Sequence, residues 1–223
     1  MTFIYAYYSR HKSHGDRYTG QGVTMSHGHH RFDPGQAERL LGEERRVRWN
    51  PSVRLSKSGL KDGFTALDLG CGPGFWTAPM AEIIGDSGSV IALDVSQELL
   101  DFASNHNPSS RIRYVLGELP SINLNDSSVD FVWASFLLHE ISDLAVLLKE
   151  LLRVLKPGGI LAALDWSTES KTGNGPPLDH RLSLSTLEQF LADAGFTNMQ
   201  SDISDSDAWF ITSERKPYQT VNI

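Results

Sequence analysis

Hydrophobic and polar residues follow three rhythms along this chain. Residues 1–30, rich in Tyr, His, Ser and Gly, carry no clear period and are expected to be flexible. Within 31–61, Ala37, Leu40 and Leu41 fall at helical spacing, and Asn50-Pro51 interrupts the helical run. Beyond that point short apolar runs alternate with amphipathic ones. Strands are predicted over 64–69, 89–93, 112–116, 129–134 and 160–164, with helices over 76–84, 98–104 and 143–155. The last of these helices is apolar along one face, as a helix packed on a sheet should be. Lys156-Pro157-Gly158-Gly159 supplies its stop. Strands alternating with helices at this spacing give βαβ units, hence a parallel sheet covered on both faces. The tail adds a helix over 186–194, ended by Gly195, and strands near 199–203 and 209–212.

The chain has 223 residues, which suits one domain over 62–223 with a helical segment, 31–61, before it. Met25 offers a second plausible start, so nothing functional is built on the residues before it. A formal net charge of -7 argues against a nucleic-acid partner, because phosphate neutralisation needs a basic surface. Arg45, Arg46, Arg48 and Arg54 cluster locally and are expected to form a solvated helix face. The single cysteine, Cys71, excludes an internal disulfide and a multi-thiolate metal site. It sits where a small residue is needed, so packing is its expected role, with a reactive thiol as the alternative. His27, His29 and His30 have no matching ligand cluster elsewhere, and no metal is expected. No apolar run approaches the roughly 18 residues of a membrane span, and no signal peptide is evident. The expectation is a cytoplasmic protein without membrane insertion, monomeric or homodimeric.

The richest stretch is Ala66-Leu67-Asp68-Leu69-Gly70-Cys71-Gly72-Pro73-Gly74-Phe75. An apolar strand ends in an acid, three glycines follow at alternate positions, and helix-forming sequence comes next. Such glycines permit a tight turn and leave no side chain between backbone and ligand. The helix behind them offers unpaired N–H groups. No Gly-Lys-Ser/Thr follows, so the triphosphate-binding pattern fails. The dinucleotide fingerprint needs a third glycine where Phe75 stands. Asp94 closes the second strand 20 residues past Gly74 and suits any ribose, since a carboxylate can accept both hydroxyl protons. Asp68 favours a cofactor bearing ammonium and sulfonium charges over a pyrophosphate; its structural alternative is a turn-forming aspartate.

With these residues in view, the chain resembles the class I S-adenosylmethionine-dependent methyltransferases from about Thr65 to Thr212. Leu67 to Gly74 resembles the family's first motif, whose glycines face the methionine part of the cofactor. Ala92-Leu93-Asp94-Val95-Ser96 resembles the ribose-binding segment. Gly117-Glu118 with Leu119-Pro120 is similar to the segment whose acid contacts the adenine amino group. Ser128-Val129-Asp130-Phe131-Val132 and Arg153-Val154-Leu155-Lys156-Pro157-Gly158-Gly159 resemble the entries to the fourth and fifth strands. The resemblance implies an α/β, Rossmann-like three-layer sandwich whose seven-stranded, mostly parallel sheet has an antiparallel last strand. It implies S-adenosyl-L-methionine as cofactor, held by Asp68, Gly70, Gly72, Gly74, Asp94, Val95, Glu118 and Ser135. It also implies that 31–61 forms a helical lid. The nearest subgroup resembles the ubiquinone/menaquinone-biosynthesis methyltransferases, and a single cysteine disfavours an arsenic acceptor.

Two places are candidates for the chemistry. His139, in Ser135-Phe136-Leu137-Leu138-His139-Glu140 after the fourth strand, titrates near neutral pH and is a candidate base. A histidine hydrogen-bonded at a helix start is the alternative, and Glu140 is expected to orient or cap. Asp165-Trp166 after the fifth strand, with Gly175-Pro176-Pro177 and His180-Arg181, is a candidate acceptor pocket at the sheet edge where such folds bind ligands. Asp165 as a turn cap beneath a packed Trp166 is the alternative there. The expected function is methyl transfer to a small-molecule acceptor. A nicotinamide-dependent, NAD(P)-using oxidoreductase of related fold, or a non-catalytic adenosylmethionine-binding protein, stands as the alternative.

Overall fold

A computed structural model describes residues 37–217. The expectations for residues 1–30, for Met25 and for His27, His29 and His30 lie outside the described residues, as does the start of the helical segment. That segment continues as three short helices, α1 (Ala37–Leu40), α2 (Glu43–Trp49) and α3 (Pro51–Lys57). Asn50 separates α2 from α3 in a left-handed conformation, φ 41°, and its N–H donates to the Arg46 carbonyl at 2.8 Å. Pro51 opens α3, where its missing N–H leaves no donor unpaired. The alternation then runs β1 (Thr65–Leu69), α4 (Thr77–Ile83), β2 (Ser89–Asp94), α5 (Gln97–His106), β3 (Ile112–Leu116) and β4 (Val129–Ser135). It continues through α6 (Leu144–Val154), β5 (Leu155–Trp166), α7 (Leu184–Ala194), β6 (Phe196–Asp202) and β7 (Ala208–Arg215).

Among the described residues seven strands form one sheet, in the order β3-β2-β1-β4-β5-β7-β6. The first five pair in parallel, and β7 runs antiparallel to both β5 and β6. This is the α/β sheet with an antiparallel last strand that the motifs imply. Strand order reverses at β1, and the crevice between β1 and β4 is where an open parallel sheet receives a ligand.

Period-two alternation divides the core between the two faces. Leu67, Leu69, Val132 and Ala134 point to one face and pack with Leu147, Leu148 and Leu151 of α6 and Leu187 and Leu191 of α7. Ala66, Phe131 and Trp133 point to the other, where they meet Met80 of α4, Trp49 of α2 and Leu55 of α3. Burying each leucine of α6 contributes about 1.5–3 kcal/mol, enough to hold the helix to the sheet. The helices before β1 are thus fixed to the core by one tryptophan and one leucine.

Among the boundaries that differ from the sequence reading, two strand starts are the most informative. Pairing on β5 begins at Leu155 rather than 160, because Leu155 pairs Val129 before a register shift around Pro157-Gly158-Gly159. On β6 the strand starts at Phe196, and residues 198–202 are exposed; a polar edge strand carries no apolar alternation to read. Gly158 has φ 79° with open space around it. A Cβ on Gly159 would lie 2.8 Å from the Lys156 carbonyl oxygen and 3.1 Å from that of Asp130. Gly159→Ala should therefore destabilise the fold by about 1–3 kcal/mol through collision with backbone that cannot move aside. Gly158→Ala should cost about 1–2 kcal/mol from the left-handed backbone alone. Denaturant unfolding of both variants checks the ranking, and a milder effect at Gly159 would contradict it.

Candidate functional site

The glycine turn is held open by the end of β2. The N–H groups of Gly70 and Cys71 donate to the Leu93 carbonyl at 2.8 and 3.0 Å. The N–H of Gly72 donates to Asp94 Oδ2 at 2.8 Å, and the N–H of Ser96 donates to Asp94 Oδ1 at 2.9 Å. Burial pushes the Asp94 carboxyl above its ordinary range, opposed by the backbone N–H groups of Ser96, Gly72 and Val95. The glycines serve different ends. A Cβ on Gly72, φ 53°, would meet nothing within 4 Å, so the backbone there faces open space. A Cβ on Gly74, φ 88°, would crowd Asn107 and Ala103, so that glycine lets α5 approach the turn.

A cavity of about 820 Å³ opens above these strand ends. Gly70, Gly72, Asp94, Val95, Glu118 and Ser135 line it, while Asp68, Gly74, His139 and Asp165 do not. Asp68 lies behind the turn, 1% exposed, and accepts the Thr77 hydroxyl at 2.6 Å. Burial pushes its carboxyl to about 7; the Thr77 hydrogen bond opposes this and the charge of Asp94 adds to it. Burial likewise pushes the Cys71 thiol up, which favours its packing role over a reactive one.

The other wall is aromatic. Trp49, Phe75, Trp76, Phe136 and Trp166 all line the cavity. Phe136 follows β4 in a left-handed conformation, φ 53°, and its N–H donates to the Leu164 carbonyl at 2.7 Å. Its ring centroid lies 5.0 Å from Trp49 and 4.7 Å from Trp166, within the range of favourable aromatic pairs. Only Trp166 among these rings was singled out for a pocket in the sequence. The others have no fixed spacing, since the fold brings the five rings together from four separate segments.

The arginine cluster is not one solvated face. Arg46 is exposed, but Arg45 and Arg48 line the cavity. Positions 45, 48 and 49 lie three and four residues apart, so α2 turns two guanidinium groups toward the cavity beside Trp49. Arg48 Nη2 reaches Asp207 Oδ2 at 2.6 Å and Asp205 Oδ1 at 3.4 Å in the β6–β7 turn. Asp207 also accepts Ser170 Oγ at 2.6 Å, Asn174 Nδ2 at 2.9 Å and the Thr172 hydroxyl. Burial would raise this carboxyl, and the four donors instead hold it well below the usual carboxylate range. Through it the helices before β1, the loop after β5 and the last hairpin are joined.

The two candidate chemical clusters form one unit. His139 Nδ1 and Asp165 Oδ1 are 2.7 Å apart, and the His139 backbone N–H donates to Asp165 Oδ2 at 3.1 Å. Asp165 also accepts the Trp166 N–H at 2.8 Å. The imidazole is 5% exposed, with Nε2 3.7 Å from Glu140 Oε1. Burial would lower its pKa; hydrogen bonding and charge from Asp165, with Glu140 behind them, outweigh burial, and the net shift is upward. Glu140 itself lines the cavity. His180 is exposed, and Arg181 donates to the carbonyls of Ser167 and Pro176 at 2.7 and 2.8 Å, closing the loop after β5. Among the described residues no group of three or more His, Cys, Asp or Glu is placed to hold a metal ion. None of their helices is long and apolar enough to cross a membrane.

Comparison with known proteins bears on this geometry. Residues 67–163 match a family model described as a methyltransferase domain. The demethylmenaquinone methyltransferase of Staphylococcus aureus strain MRSA252 is 33% identical over 129 residues, 57% of this chain and 53% of that protein. The chain thus spans about half the length of the curated relatives it matches. A crystal structure of a SAM-dependent methyltransferase from Aquifex aeolicus is 31% identical, covering 82% of this chain and 99% of that one, with a TM-score of 0.77. The [4+2]-cyclase SpnF shares the fold at 20% identity, covering 79% of this chain and 83% of that one, with a TM-score of 0.67. These likenesses lend no support to the nicotinamide alternative, and the chain belongs to the S-adenosylmethionine-dependent methyltransferases.

Proposed function

We propose that this protein transfers a methyl group from S-adenosylmethionine to a flat, largely apolar small molecule. One observation carries the reading: a single cavity has glycine backbone and carboxylates along the β1 and β2 ends, and aromatic rings along α2 and the β4 and β5 ends. Its volume lies within the roughly 300–1,000 Å³ of small-molecule sites, toward the larger end. The residues fit the cofactor. Each oxygen of Asp94 has taken one backbone N–H and keeps lone-pair capacity for a ribose hydroxyl. Glu118 is an acceptor for the adenine amino group, Val95 a plate for the ring, and the open side of Gly72 admits the methionine part. Ser135 lies at the β4 end, where donor and acceptor would meet. Asp68 and Gly74 act from behind, one as a buried carboxyl bonded to Thr77 and the other as a packing position.

Bound there, the sulfonium supplies an electrophilic methyl group. The protein's task is then to align an acceptor with it, and orientation is the main contribution. The aromatic wall suits a conjugated ring, and the substrate class in the name of the Staphylococcus aureus relatives, a demethylated menaquinone, supports a quinone-type acceptor. His139 and Asp165 are read as a positioning pair rather than a base, because neither lines the cavity. Asp165 fixes the backbone of Trp166, and the turn held by His139 presents Glu140. Helices α1 to α3 act as the lid, fastened by Arg48.

Incubation with S-adenosylmethionine and a panel of reduced quinones and phenols should yield S-adenosylhomocysteine with at least one flat acceptor. S-adenosylhomocysteine binding without turnover on any acceptor would favour a non-catalytic protein, and binding of NAD alone would overturn the reading. Asp94→Asn should weaken S-adenosylhomocysteine binding by about 1.5–3 kcal/mol, the worth of hydrogen bonds to a charged group. Calorimetry checks this, and unchanged affinity would remove Asp94 from the site. The His139–Asp165 pair contributes stability that is full below the ordinary imidazole value of 6.5 and lost as pH rises through the higher folded value. The stability advantage of the native protein over His139→Gln should therefore shrink as pH rises above 6.5. Urea unfolding across that range measures it; an advantage that grows with pH would contradict the pairing.

A further inference from the structure

Arg45 stands apart from the other arginines around it. Arg48 is paired with Asp207, while Arg46 and Arg54 donate to the carbonyls of Leu41 and Trp49. Arg45 lines the cavity and places its guanidinium carbon 4.5 Å from the centroid of Phe75 and 5.8 Å from that of Phe136. Among the described residues its one hydrogen bond is from Nη1 to the Leu40 carbonyl at 3.1 Å. Among the described residues no carboxylate pairs with it. A guanidinium carries five N–H donors in a planar fork. An aromatic face offsets part of the cost of removing that charge from water, but it accepts nothing from the in-plane N–H groups. Burial alone moves the Arg45 pKa, down to about 10, with no acidic neighbour pulling it back.

We propose that Arg45 is an anion anchor inside the cavity, its guanidinium receiving a carboxylate or oxyanion of a bound small molecule. The rings of Phe75 and Phe136 hold the side chain in place, and the fork geometry suits two oxygens of one carboxylate. Two ligands of the proposed methyl transfer bear such a group: the cofactor through its amino-acid carboxylate, and an acidic acceptor through its ionised oxygen. Position is compatible with both. Phe75 follows the glycine turn, and Phe136 follows β4 on the aromatic wall. This inference rests on the methyltransferase reading given above. Binding of S-adenosylhomocysteine by the unaltered protein is the control that tests that reading separately.

The experiment compares the unaltered chain with Arg45→Met, which keeps the apolar stem, and Arg45→Lys, which keeps the charge. Binding of S-adenosylhomocysteine and of 5′-methylthioadenosine, which lacks the amino-acid part, is measured by calorimetry. Binding of 2-naphthoate and its uncharged carboxamide to S-adenosylhomocysteine-loaded protein is followed by tryptophan fluorescence. If the anion belongs to the cofactor, Arg45→Met loses at least tenfold in S-adenosylhomocysteine affinity, methylthioadenosine is unchanged, and Arg45→Lys recovers part of the loss. If it belongs to the acceptor, S-adenosylhomocysteine affinity stays within twofold, while naphthoate binding falls tenfold and carboxamide binding does not. Equal losses for the charged and uncharged member of each pair would overturn the proposal, because Arg45 would then be a packing residue. So would unchanged binding of both anions.

Discussion

The site depends first on one carboxylate. Asp94 closes β2 and accepts the N–H groups of Gly72 and Ser96, one on each oxygen. The first bond joins the turn after β1 to the neighbouring strand; the second starts the segment that leads into α5. The Gly70 and Cys71 N–H groups on the Leu93 carbonyl hold the start of the turn, and the Asp94 carboxylate adds the bond at Gly72, whose left-handed backbone has no side chain to anchor it. Burial works against the charge, and the backbone donors offset it. A group that is costly to bury and fully engaged from one side is well prepared to accept further donors from the other.

The second constraint is the way the chain before β1 reaches the cavity. Three short helices carry too few buried contacts to keep a fixed place by themselves, since isolated helices of this length are unstable in water. Trp49 and Leu55 sink into the core beside Phe131 and Trp133, and Arg48 binds the Asp207 hub. Asp207 is also where Ser170, Thr172 and Asn174 converge. One buried acid thereby couples the segment above the cavity to the loop after β5, which is closed in turn by Arg181.

The sheet was legible because it is built from local signals. Apolar runs in β1, β2, β4 and β5 are buried on both faces, and the stops at Pro157-Gly158-Gly159 and Gly195 need no tertiary knowledge. The edge strand β6 was only partly visible, because its exposed polar residues carry no period. The glycine turn and Asp94 could be read for the same reason as the sheet: their chemistry lies within a short stretch of chain. The aromatic wall could not. Trp49, Phe75, Phe136 and Trp166 meet only through the topology. The spacing that sets Arg45 and Arg48 on one side of α2 reads equally well as a solvated face. His139 and Asp165, considered separately in the sequence, prove to be one pair because β4 and β5 are adjacent and parallel.

The division of the cavity also explains what a family resemblance can convey. The match to a methyltransferase domain covers residues 67–163. Gly70, Gly72, Asp94, Val95, Glu118 and Ser135 all fall inside it, so the wall suited to the cofactor is the part held in common with that family. Arg45, Arg48, Trp49 and Trp166 fall outside it, contributed by the helices before β1 and the end of β5. A related fold in SpnF belongs to a cyclase, and fold alone never gives the reaction. The aromatic wall is therefore split: Phe75, Trp76 and Phe136 lie within the match, while the flanking segments add Trp49, Trp166 and Arg45, whose charge meets no carboxylate among the described residues.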